Sequence, residues 1–123
     1  MGAYRSELVK DKPLYCFKFE IDTNDLKYNI TKIEIPEYIL KTNCFTERKC
    51  YCFENQFINK SCKHYVVEES KLDRFVSSKV YSFNPDIQNA KEIILLELEN
   101  KTNEYYTLYM QWKEKLECFL KIK

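Results

Sequence analysis

The order of apolar and polar residues divides the chain into a strand-like first half and a helix-like second half. In "PLYCFKFEI" the odd positions Tyr15, Phe17, Phe19 and Ile21 are apolar, Lys18 and Glu20 alternate with them, and Cys16 falls on the more polar side. That period of two predicts a strand. In the next segment Leu26, Ile30 and Ile33 fall at helical spacing behind a Thr23 or Asn24 cap, whereas Ile33 and Ile35 alternate as in a strand. Residues 24–35 are therefore open between the two states, and Pro36 ends either one. Short strands are predicted at "KCYCF" and "HYVVE".

After Glu69 the period changes. Leu72, Phe75, Val76 and Val80 follow i, i+3, i+4, i+8 and predict a helix over 69–80. Asn84 as cap, Pro85 at the first helical position and Asp86 at the positive end of the dipole predict a second helix over 85–99. Its face would carry Ile87, Ala90, Ile94 and Leu98; residues 92–99 alone also read as a buried strand. In the last segment Tyr105, Leu108, Tyr109, Trp112, Leu116 and Phe119, with Leu120, share one arc at about 100° per residue and predict a third helix over 103–121. That arc is expected to be core, and "NKTN" an exposed loop before it.

The only glycine is Gly2. Tight hairpins and bulges rely on glycine at positive φ, so its absence argues against a many-stranded sandwich. The expected fold class is α+β: a small disulfide-stapled domain, N-terminal strands over about 14–67 with two to three C-terminal helices. The alternative is an all-α, short-chain cytokine-like bundle. The 123 residues make a single domain, 1–123, with 1–12 expected as a flexible extension.

Twenty Lys/Arg against nineteen Asp/Glu give a net charge of +1, with no block of one sign. This mixing disfavours a nucleic-acid or anionic-membrane surface. The longest aliphatic run, Ile93 to Leu96, is far below the roughly 18 apolar residues of a membrane span. The first fifteen residues contain no apolar h-region. Met1-Gly2 reads as an added start on a mature secreted domain, ahead of a native start whose Met-Gly-x-x-x-Ser pattern invites N-myristoylation at Gly2.

Three N-glycosylation sequons, at Asn29, Asn59 and Asn100, and six cysteines in a short chain favour an oxidising compartment. Four cysteines and the only histidine crowd residues 44–64. A Cys-x-x-Cys redox pair is missing, and His64 beside Cys62 has no separately placed orienting group for nucleophilic catalysis. A zinc set of Cys50, Cys52, Cys62 and His64 is a lesser alternative, because one intervening residue per pair is shorter than the usual knuckle spacing. Disulfides are the leading expectation: Cys16 with Cys118, and Cys44, Cys50, Cys52 and Cys62 among themselves.

These readings predict a secreted protein-binding module, such as a receptor ligand, inhibitor or host-directed effector. It would act by surface recognition, without catalysis or cofactor, on another protein. An intracellular adaptor anchored through a Gly2 lipid is the alternative, besides the zinc-supported domain. The expected contact residues are Phe57 and Ile58, in a polar loop between cysteines, and Tyr106 and Met110, opposite the apolar arc of the last helix.

Overall fold

The computed structural model describes residues 3–59 and 62–122, with the side chains of Gln56, Phe57, Asn59 and Cys62 outside that description. Gly2 lies outside it as well. In chain order the elements are β1 (Tyr4–Val9), β2 (Leu14–Asp22), β3 (Lys27–Ile35), β4 (Tyr38–Asn43), β5 (Lys49–Asn59) and β6 (Cys62–Glu68). A 3-10 turn (Glu69–Lys71), β7 (Phe75–Val76), β8 (Lys79–Ser82) and one helix, α1 (Ile87–Leu120), complete the chain. Two four-stranded sheets result, β1-β4-β5-β6 and β3-β2-β8-β7, and all their pairings are antiparallel.

The predicted architecture is overturned: among the described residues eight strands and one helix replace the α+β arrangement with two to three helices, and the all-α bundle with it. Residues 4–9, inside the expected extension, form β1 and pair with β4 from Tyr4↔Asn43 to Val9↔Tyr38. The ambiguous segment 24–35 becomes the turn and strand that pair back onto β2. Pro36 then sits at the corner where the chain crosses from one sheet to the other.

Three layers follow from which faces are apolar. Leu14 and Cys16 of β2, Tyr38 of β4 and Tyr51 and Phe53 of β5 close the space between the sheets. The opposite face of β2 buries Phe17 beside Val80 of β8, and Ala90 and Ile94 of α1 cover them. Strand β2 is thus apolar on both sides, as a strand enclosed between a sheet and a helix must be. Cys16, on the side that looked polar, is fully buried. Each large side chain removed from water here contributes roughly 1.5–3 kcal/mol.

Turns without glycine explain how the chain makes two sheets. Asp22 Oδ1 accepts from the backbone N–H of Asn24 at 2.8 Å, and Leu26 N–H closes onto Asp22 C=O with Leu26 at φ 56°. Asn43 repeats the device: its Oδ1 accepts from Phe45 N–H at 2.8 Å, and Glu47, at φ 59°, closes onto Asn43 C=O. Between β7 and β8, Ser77 and Ser78 both have positive φ, the pattern of a two-residue type I′ hairpin. A left-handed non-glycine residue costs roughly 1–2 kcal/mol, which the side-chain hydrogen bonds of Asp22 and Asn43 offset in part.

The helix predicted over 69–80 is therefore a 3-10 turn followed by the β7–β8 hairpin. Its period-3.6 spacing is incidental: Phe75 and Val80 are cross-strand partners, and both pack in the layer under α1. The helices predicted over 85–99 and 103–121 are one continuous helix of 34 residues. "NKTN" contains no glycine or proline, and Thr102 and Thr107 return their hydroxyls to the carbonyls of Leu98 and Asn103 at 2.8 and 2.9 Å. The cap moves two residues on: Asp86 accepts from Gln88 N–H at 2.9 Å, while Asn84 Oδ1 accepts from Asp86 N–H.

Candidate interaction surface

Only the first turns of α1 are docked. Ile87, Ala90, Ile93 and Ile94 lie on sheet β3-β2-β8-β7, and Glu97 ties the next turn down. Its carboxylate accepts from Arg74 Nε at 2.6 Å and from the backbone N–H of Phe75. Burial alone would raise the Glu97 carboxyl, but these hydrogen bonds and the Arg74 charge prevail and hold it below its ordinary value.

Beyond that anchor no described residue of the helix is buried. The free part, 98–120, extends roughly 35 Å at about 1.5 Å per residue. Its apolar arc is exposed: Trp112 is 62% accessible, Phe119 69% and Tyr105 66%, with Leu108, Tyr109 and Leu116 also open. The arc expected as core is instead an exposed aromatic surface. A helical wheel gives the apolar face of a helix and says nothing about whether a wall stands opposite it.

The other expected contact residues separate. Tyr106 and Met110 are exposed on the same free helix. Ile58 is fully buried between the sheets, because "NQFIN" belongs to β5 and is not a loop. The Phe57 side chain is outside the described residues. Asn29, on edge strand β3, and Asn100, on the free helix, are exposed, and the Asn59 side chain is again outside the description.

The disulfide expectation is overturned. Cys16, Cys44, Cys50, Cys52 and Cys118 are all free thiols, and no disulfide occurs among the described residues. Cys16 is sealed between the sheets, whereas Cys118 lies 24 residues past Ile94 (118 minus 94), roughly 36 Å along the helix. A disulfide needs Cα atoms within about 7 Å. Burial pushes the Cys16 thiol up to about 11, against a hydrogen bond with Tyr81. Cys50 is also raised, by burial first and then by the neighbouring Cys52 thiol.

The zinc set is divided by the β5–β6 register. Cys50 faces Glu68 and Cys52 faces Val66, while His64 faces Glu54 and Cys62 faces Asn59. His64 Nδ1 sits 3.1 Å from Glu54 Oε1. Among the described residues no group of three or more His, Cys, Asp or Glu is placed to hold a metal ion. No helix among them is long and apolar enough to cross a membrane.

Comparison with family models, curated proteins and solved structures returns no match to this chain.

Proposed function

We propose that the chain is a protein-binding module that acts by surface recognition, with the free part of α1 as its binding element. One observation carries this reading: a rigid body of two sheets holds a helix by its first turns and presents a continuous aromatic stripe over the remainder. Exposed apolar patches beyond a few hundred Å² mark interaction sites, and an amphipathic helix offering i, i+3, i+4, i+7 anchors is a recurrent recognition element. Tyr106 and Met110 extend the stripe sideways.

Exposed sequons at Asn29 and Asn100 support an extracellular setting. Five free thiols, with Cys44 and Cys118 exposed, favour a second reading, an adaptor in a reducing compartment. The mass of protein from a secretory host decides between them. Glycan at Asn29 or Asn100 supports the first, and an unmodified chain with unreactive sequons the second.

Trp112 is the only tryptophan and lies in the middle of the stripe, so its emission tests the binding reading directly. The dilute protein should emit as a water-exposed indole, with ready quenching by acrylamide. A bound partner should shift the emission to the blue and protect it. Blue, protected emission from the dilute monomer would remove the stripe from the surface and end this reading.

A further inference from the structure

The free stripe has a second periodicity. From Leu95 to Phe119 its positions alternate in steps of three and four: Leu95, Leu98, Thr102, Tyr105, then Tyr109, Trp112, Leu116, Phe119. Seven of the eight are apolar, as in the seam of a coiled coil. We propose that the stripe is covered by the same stripe of a second copy, running antiparallel. The proposal rests on the reading of the free helix as a binding surface and names its occupant.

Antiparallel pairing centred on Thr107 brings the seam onto itself in four kinds of layer. Leu95 meets Phe119 of the second copy, Leu98 meets Leu116, Thr102 meets Trp112, and Tyr105 meets Tyr109. The one small, polar seam residue thus faces the largest one. Thr102 enters that layer with its hydroxyl already bonded to Leu98 C=O at 2.8 Å, so burial leaves no unsatisfied donor. Tyr106 and Leu108 flank the two-fold axis and widen the apolar contact.

Charge selects the direction. Past the Glu97–Arg74 pair, residues 98–106 hold Glu99 and Glu104 against Lys101, a net of −1 (one minus two). Residues 108–122 hold Lys113, Lys115 and Lys121 against Glu114 and Glu117, a net of +1 (three minus two). Antiparallel pairing sets these halves against each other: Glu99 lies beside Lys113 of the second copy on one flank, an attraction that the approach of Lys101 to Lys115 on the other flank offsets in part. Parallel pairing sets −1 against −1, stacks Trp112 on Trp112, and forces both two-sheet bodies to one end. The antiparallel pair keeps the bodies at opposite ends, and its overlap ends at Leu95, an exposed residue on the last docked turns.

Four aromatic and three leucine side chains per copy, at roughly 100 Å² each, give roughly 700 Å² per partner, close to the ~800 Å² of a standard stable interface. Asn100 lies on the side away from the seam, where a glycan is compatible with pairing.

Sedimentation velocity in reducing buffer, with Trp112 emission recorded over the same concentrations, tests the proposal. The wild-type chain should pass from 15.0 kDa to twice that mass as concentration rises, and its emission should move to the blue in parallel. Glu99→Lys and Lys113→Glu each make both symmetry copies of the Glu99–Lys113 pair repulsive and should weaken self-association about tenfold. Circular dichroism confirms that each variant keeps its helix.

Mixed, the two variants restore both pairs and should form heterodimers above the statistical ratio. A dimer whose variants show no such preference overturns the antiparallel register. A monomer at every concentration with water-exposed Trp112 overturns self-association but leaves the stripe open to another partner. A monomer with protected Trp112 overturns both readings.

Discussion

The first turns of α1 and the remainder of the same helix carry apolar stripes of one kind, yet only the first is covered. Ile87, Ala90 and Ile94 meet Phe17 and Val80 on a sheet face that is otherwise complete, and they finish a core. Tyr105, Tyr109, Trp112 and Leu116 stay exposed, with Lys115 Nζ of the same helix over the Trp112 ring at 4.7 Å. The stripe therefore serves two different ends along one element. Where a wall of the fold stands opposite, it supplies stability, and past the edge of that wall it supplies a surface.

The contrast can be broken most severely at the docked end. Ile94→Ala removes a nearly fully buried side chain and should cost about 2–4 kcal/mol in chemical denaturation. A loss below 1 kcal/mol would mean that the first turns are not packed as described. Next, Asp86→Ala removes the hydrogen bond to Gln88 N–H and should cost about 1 kcal/mol, seen as a lower midpoint and frayed amides at the start of α1 by hydrogen exchange.

Glu97 marks the boundary and adds a pH dependence. Its carboxyl is held below the ordinary value of 4.5, so its stabilisation is fully present above that value and fades as pH falls through the lower folded one. Wild type should exceed Glu97→Gln by a few tenths to about 1 kcal/mol at neutral pH, and the gap should close as pH falls through the lowered folded-state value. A gap independent of pH would remove the ionised carboxylate from the anchor. Smallest of all, Trp112→Ala should change the stability of the dilute monomer by no more than about 0.5 kcal/mol, despite being the larger truncation.

Sequence periodicity recovers single elements better than their assembly. The alternation over residues 14–21 corresponds to β2, and the spacings of Ile87–Ala90–Ile94 and of Tyr105–Tyr109–Trp112 both lie on α1. The two helices fuse because Asn100, Lys101, Thr102 and Asn103 are only weakly unfavourable in a helix, by well under 1 kcal/mol each. The β7–β8 hairpin was hidden because its turn uses Ser77-Ser78 where Asn-Gly is the usual signal.

The absence of glycine was a misleading guide for the same reason. Asp22 and Asn43 hold left-handed Leu26 and Glu47 through their own side chains, which composition does not reveal. Of the candidate contacts, Tyr106 and Met110 were legible as exposed. Ile58 was not, since an apolar residue among polar ones reads alike as a loop tip or as the inward side of a strand.

Strand β2 carries one more implication. A strand with one dry face is penalised for slipping by a residue, because every apolar group would turn to water. With Leu14 and Cys16 on one side and Phe17 on the other, β2 has only a weak version of that penalty. The information that sets its alignment lies at its very end, in the Asp22 turn that fixes Asp22↔Lys27 and every rung down to Leu14↔Ile35. A strand buried on both faces takes its address from a carboxylate at the surface.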